Sequence, residues 1–247
     1  FLAQSPQFYK QIMVGAMERV FEVGPVYRAE EHDTTRHLNE YISLDFEMGF
    51  IENMQDLIAM QEGLITHILN CLAIHCRQEL EMYGATLPKA PPLLSGGKIP
   101  QIELAQAQSL LKENYNWQSQ SKDLDAEGER LICQHVFEES GSEFVYITNY
   151  PHHIRPFYAM KTASGGSQSF DLLFRGLEVT TGGQRIHEYN ELVSSIEERG
   201  MKAEEFADYL LCFKHGMPPH GGLAFGLERL AKQLLGLASV KQAALFP

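Results

Sequence analysis

The sequence predicts an α+β fold, mainly an antiparallel sheet flanked by helices. Two observations predict it. Strand-like runs cluster around helical stretches, without the regular βαβ alternation that builds a parallel sheet. A chain of 247 residues with 44% hydrophobic content can bury one large core, so residues 1–247 are expected to form a single domain. Within it, residues 84–142 read as a more variable helical segment.

Taken in order, residues 7–20 suit a helix, with Phe8, Ile12, Ala16 and Val20 near one face. Phe21 to Tyr27 and Ile42 to Ile51 are rich in aromatic and branched residues and predict two strands. The polar stretch Glu30 to Asn39 joins them and is longer than a tight hairpin needs. Residues 54–83 carry a long helical pattern that Gly84 ends, and Leu87 to Pro100 is Pro- and Gly-rich, as a linker would be. Helices are expected around 103–115 and 125–138, then strands near 143–148, 156–162, 168–174 and 176–186. Residues 188–198 and 202–215 suit helices, and a glycine-bearing strand at 221–226 runs into a last helix at 227–236.

Lys and Arg total 20 against 32 Asp and Glu, a net charge of -12. An acidic surface repels a polyanion, so RNA contact requires a local basic region or further chain. The cysteines Cys71, Cys76, Cys133 and Cys212 make no CxxC pair and no disulfide framework, which suits a reduced, cytoplasmic protein. Cys71, Cys76, His67 and His75 fall close together but not on one helix face, and ordinary surface and core roles outweigh a metal site there. No apolar run has transmembrane length, so no membrane is expected as a partner. The chain opens without Met, inside a strand-like stretch, and reads as part of a longer protein.

Four segments carry candidate chemistry. Arg28 to Tyr41 is the densest in charge. Arg28 ends an apolar strand, and a rigidly held guanidinium suits a phosphate oxygen. Glu30 could accept from an amine, and Arg36 and His37 lie further out, where a distal phosphate could sit. A solvated hairpin is the alternative. The second segment, Phe170 to His187, holds the carboxylates Asp171 and Glu178 in strand-like surroundings. An inward carboxylate needs a cation: Mg²⁺ suits it, and so does an ion pair with Arg175 or Arg185. In the third, His220 to Arg229, glycines permit close approach by a flat ligand, and Arg229 could stack on a base; a tight strand-to-helix junction is the alternative. It is neither a P-loop nor a Rossmann fingerprint. In the fourth, Gln4 to Lys10, Gln7 and Lys10 share one side of a helix start, where a solvated lysine is the ordinary reading.

Together and in this order the four segments resemble class II aminoacyl-tRNA synthetases, specifically the archaeal and eukaryotic aspartyl type. The resemblance covers essentially the whole chain, including Ile147 to Pro151 and Arg155 to Tyr158. Phe21 to Phe50 is similar to motif 2 and Gly221 to Leu230 to motif 3. The resemblance implies an aspartate–tRNA ligase catalytic domain that uses ATP and Mg²⁺ and serves tRNA, within a homodimer when complete. It casts Arg28 at the α-phosphate, Glu30 near the adenine amino group, and His37 at the γ-phosphate. Tyr41, where the family usually has Phe, and Arg229 would cover the two adenine faces. Asp171, Glu178 and Thr181 match the metal-site positions, with Thr181 replacing a common Ser. Gln7, Lys10, Asp45 and Arg185 would hold aspartate. A desolvated ammonium favours a carboxylate over an amide, which separates aspartate from asparagine. Motif 1, the anticodon-reading OB-fold and an upstream glutamate are expected to lie before Phe1, and the chain stops slightly short of the family's usual end. Two alternatives stay open: a paralogue that passes the adenylate to ammonia or another amine, and a non-catalytic binding module.

Overall fold

Side chains alternate along the strand Glu40–Gly49, and that alternation sets the layout of the molecule. Leu44, Phe46 and Met48 join the main apolar core, while Tyr41, Ser43, Asp45 and Glu47 face the other way. One antiparallel sheet can thus carry a packed face and a polar face. The computed structural model describes residues 1–31, 33–88, 97–119 and 121–246.

Helix α1, Gln7–Met17, leads into β1, Arg19–Tyr27, and β2, Glu40–Gly49. Helices α2, Met54–His75, and α3, Arg77–Met82, follow, then β3, Gln101–Glu103. Helices α4, Leu104–Tyr115, and α5, Ala126–Ser140, precede β4, Phe144–Thr148; β5, Ser169–Phe174; and β6, Leu177–Gln184. Helices α6, Tyr189–Glu197, and α7, Ala207–Lys214, come before β7, His220–Gly226, and α8, Leu227–Leu235. The strands form a seven-stranded sheet in the order β1-β2-β7-β6-β5-β4-β3. Its pairings are antiparallel except β3 with β4, which are parallel. The expected α+β class is therefore observed.

Three cores hold the sheet. Leu57, Ile58, Ile65 and Leu69 of α2, with Leu230 and Leu234 of α8, cover the apolar face. Leu111 of α4 and Ile132 of α5 pack on Val145, Ile147 and Leu173 at the β4–β5 end of the opposite face. Val14 of α1 meets Leu192, Ile196, Leu210 and Phe213 of α6 and α7. The polar centre of the sheet lies beside these last two packings.

Several boundaries differ from the sequence expectation. Helix α1 ends at Met17 because Glu18 takes φ +61°, and its buried residues are Lys10, Gln11 and Val14 rather than the expected Phe8 face. The helix expected over 54–83 breaks at Cys76, whose φ of −120° leaves the helical region. An Asn53–Asp56 capping box starts α2 cleanly. Residues 156–162 form no strand: only isolated bridges occur there, Ala159 to Arg185 and Lys161 to Ser167. The helix expected from 202 opens as a 3-10 turn, Ala203–Phe206. The expected linker at 87–100 lies mostly outside the described residues, and the short strand β3 beyond it was not anticipated.

Candidate active site

Register brings the site together. Across the sheet, Asp45 pairs with Ala224, Ala224 with Thr181, and Thr181 with Asp171. Antiparallel partners share a face, so a carboxylate from β2, a hydroxyl from β6 and a carboxylate from β5 lie in one row. A register shift then adds Glu178. Leu172 opposes Thr180 but Leu173 opposes Glu178, leaving Val179 as an extra residue. Residues 178 and 181 would otherwise face opposite sides; the bulge puts both on the polar face. Thr181 Oγ1 donates to Glu178 Oε1 at 3.1 Å.

Beside this row lies a cavity of about 280 Å³ lined by Arg28, Glu30, Arg36, His37, Tyr41, Glu178, Thr181 and Arg229, among others. All the residues expected to bind nucleotide therefore meet in one place. Arg28 sits 5.5 Å over the Tyr41 ring, within cation–π range. His37 Nδ1 lies 2.7 Å from Thr34 Oγ1. Arg229 is fixed in the first turn of α8: Nε donates to the Arg36 carbonyl at 3.2 Å and Nη1 to the Glu178 carbonyl at 3.0 Å. Glu228 accepts from the Ile42 backbone N–H at 3.0 Å and ties the start of α8 to β2.

Gln7, Lys10, Asp45 and Arg185 meet in a second, deeper cluster on the same face. Lys10 Nζ donates to Asp45 Oδ1 at 2.9 Å and to the Leu223 carbonyl at 3.2 Å, and lies 3.3 Å from Glu47 Oε2. Arg185 Nε donates to Glu47 Oε1 at 3.0 Å, and Nη2 to the Gly222 backbone carbonyl at 3.1 Å and to Gln7 Oε1 at 3.4 Å. Lys10, Asp45, Glu47 and Arg185 are all buried. Burial pushes the Glu47 carboxyl up, but Arg185 and Lys10 together outweigh it and hold the group below the usual carboxylate range. Ser43 donates to Asp45 Oδ2, and because Ser43 also lines the cavity, it joins the two clusters. Gly222 makes the cluster possible, since a Cβ there would collide with the Glu47 carboxylate and the Phe46 carbonyl.

The carboxylates are paired differently from the sequence alternatives. Asp171 takes Arg155, whose Nη2 donates to Oδ2 at 2.6 Å; Arg155 itself stacks 3.5 Å over Tyr150. Arg175 pairs instead with Glu143. Asp171 Oδ1 is buried and finds no hydrogen-bond partner among the described residues. Burial, then the charge of Asp171, pushes the Glu178 carboxyl up to about 7. The orphan oxygen of Asp171 and the carboxyl of Glu178 are oxygen donors of the kind a divalent cation takes, but no group of three or more His, Cys, Asp or Glu side chains that could hold a metal ion occurs among the described residues.

Sequence reasoning missed Glu47, Ser43, Glu129 and Arg155. Glu47 was reachable, since it lies two residues from Asp45 on a strand. Glu129 and Arg155 had no local signal, because their partners are distant in sequence.

The family described as tRNA synthetases class II (D, K and N) matches residues 1–247. An aspartate–tRNA(Asp/Asn) ligase of Deinococcus radiodurans is 51% identical, over 100% of this chain and 57% of its own length. An aspartate–tRNA(Asp) ligase of Thermococcus kodakarensis is 41% identical, over 100% of this chain and 56% of its own. Among solved structures, the aspartyl tRNA synthetase from Entamoeba histolytica superposes with a TM-score of 0.91 at 32% identity, covering 100% of this chain and 51% of that one. An asparaginyl-tRNA synthetase from Pyrococcus horikoshii complexed with asparaginyl-adenylate gives 0.88 at 29%, covering 99% and 56%. The chain thus spans little more than half the length of these relatives. With the family matched from end to end and the sheet superposing on its solved structures, the chain belongs to the class II tRNA synthetases of the D, K and N group.

Proposed function

We propose that this chain is the catalytic part of an aspartate–tRNA ligase, which activates aspartate with ATP and passes the aspartyl group to the 3′ end of tRNA. The observation that carries the reading is the pair of buried cations, Lys10 and Arg185, set beside a cavity walled by Arg28, Arg36 and Arg229. Relatives named as aspartate–tRNA ligases, 40–51% identical, support it. Lys10 and Arg185 are balanced by Asp45 and Glu47, so a substrate carboxylate would bind by sharing the Lys10 and Arg185 donors with these two groups. An amide in that place loses the charge-assisted hydrogen bond that a carboxylate would make.

In this reading the adenine lies between Tyr41 and Arg229, with Glu30 at its amino group. Arg28 holds the α-phosphate while Arg36 and His37 face the distal phosphates. Gln7 and Asp45 orient the amino acid. An oxygen of its α-carboxylate attacks the α-phosphorus, the bond to the bridging oxygen breaks, and pyrophosphate leaves. Arg28 then stabilises the charge that develops at phosphorus, and the fixed geometry supplies the rest. Asp171, Glu178 and Thr181 would hold Mg²⁺, which would neutralise charge on the triphosphate. A terminal ribose hydroxyl of tRNA then attacks the aspartyl carbonyl and releases AMP. The complete protein is proposed to be a homodimer.

ATP–pyrophosphate exchange with aspartate, asparagine and glutamate tests the proposal. Exchange is expected with aspartate at least about a hundredfold above asparagine. Equal exchange with asparagine overturns it. Charging of aspartate and asparagine tRNAs by the complete protein tests the second step.

A further inference from the structure

Among the described residues, α5 contributes nothing to the lining of the nucleotide cavity, yet one of its side chains reaches the cavity's back wall. Glu129, 9% exposed, accepts from Arg36 Nη2 and from the Glu178 backbone N–H, the latter at 2.9 Å, on the same oxygen, Oε2. Arg36 in turn presents its carbonyl to Arg229 Nε at 3.2 Å. Arg229 closes the circuit by donating to the Glu178 carbonyl at 3.0 Å. Glu129, Arg36, Arg229 and Glu178 thus form a closed ring of contacts, and Glu129 is its one member outside the cavity lining. The ring joins the loop after β1, strand β6 and helix α8.

Glu129 is itself held firmly. It lies in the first turn of α5, where Asp125 accepts from the Gly128 N–H at 2.8 Å and from Trp117 Nε1 at 3.0 Å. A Cβ on Gly128 would meet the Trp117 ring at 3.1 Å, so the helix start sits close against that ring. The carboxylate is therefore a fixed anchor rather than a mobile surface charge.

We infer that Glu129 is a positioning residue for nucleotide binding: it holds the Arg36 guanidinium and, through the ring, Arg229 in the places the triphosphate and base require. This rests on the reading of the cavity as the ATP site. Arg36 has a long, flexible side chain, and ordering it before the ligand arrives removes that entropic cost from binding. Nη2 is spent on Glu129, which leaves the rest of the planar fork to face a phosphate.

The test is Glu129→Gln, alone and combined with Arg36→Gln, in the complete protein. Gln keeps the length and an oxygen that accepts from the Glu178 N–H, and loses the charge that holds Arg36. ATP affinity measured by calorimetry is expected to fall about tenfold, the scale of one hydrogen bond to a charged group, while KM for aspartate in pyrophosphate exchange stays within about twofold. In the Arg36→Gln background, Glu129→Gln is expected to add nothing, because it acts through Arg36. A second variant, Glu129→Asp, keeps the charge but shortens the reach, and is expected to weaken ATP as well. Unchanged ATP affinity, a parallel rise in the aspartate KM, or additive losses in the double variant each overturn the inference. The unsubstituted protein is measured alongside. If it binds ATP but exchanges with another amino acid, the aspartate reading falls, and the Glu129 comparison is still decided by ATP affinity alone.

Discussion

At the scale of single residues the site is a set of charges that cannot be buried alone. Asp45 and Glu47 have almost no exposure, and Lys10 and Arg185 between them make that tolerable. The sign of the pH dependence follows from Glu47. Its folded pKa lies below its ordinary 4.5, so its contribution to stability is fully present above that pH and is lost as pH falls through the folded value. Urea unfolding of Glu47→Gln against the unsubstituted protein is therefore expected to show a deficit at pH 7 that narrows below about pH 4.5. A deficit that stays constant with pH would remove the charge from the explanation. Arg229 gives a second prediction. Its guanidinium is tied to Arg36 and Glu178 and faces the nucleotide cavity, away from the Lys10 cluster. Arg229→Ala is expected to weaken ATP binding by roughly tenfold or more, with the aspartate KM little changed. Equal losses for both ligands would contradict the stacking role.

At the scale of elements, strand pairing assembles the site, and that pairing was the part least legible in the sequence. Asp45 and Thr181 were identified from sequence, yet their meeting depends on β2, β7 and β6 lying side by side, which no local pattern dictates. Glu178 and Thr181 share a face only through the bulge at Val179, and nothing in Leu177–Gln184 announces it. The false strand at 156–162 has a similar cause: its apolar residues suit a strand, but β5 and β6 already pair with each other there, and only bridge contacts remain. The break at Cys76 was also hidden, because the apolar period runs on through it. Glycine substitutions test the element-scale account. Gly222→Ala drives a methyl into the Glu47 carboxylate and is expected to cost roughly 1–3 kcal/mol of stability, with loss of exchange activity. Gly63→Ala, inside α2 with open space around it, is expected to stabilise by up to about 1 kcal/mol. Thermal melts of the two variants shifting the same way would contradict this contrast.

At the scale of the whole molecule, one sheet separates structural work from chemical work. Its apolar face packs on α2 and α8, and its polar face gathers groups from α1, β2, β5, β6, β7 and α8. Lys10 and Arg185 lie far apart in sequence and meet at Glu47. The order of motifs disclosed the family, but the supporting charges that hold them were visible only in three dimensions. The claim on which the rest depends is that Lys10 belongs to an amino-acid subsite distinct from the nucleotide cavity. Lys10→Met tests it most directly. ATP binding is expected to persist within about threefold, while aspartate-dependent pyrophosphate exchange falls by at least about a hundredfold, as for a lost buried ionic partner. Exchange with aspartate at the unsubstituted rate would contradict the account.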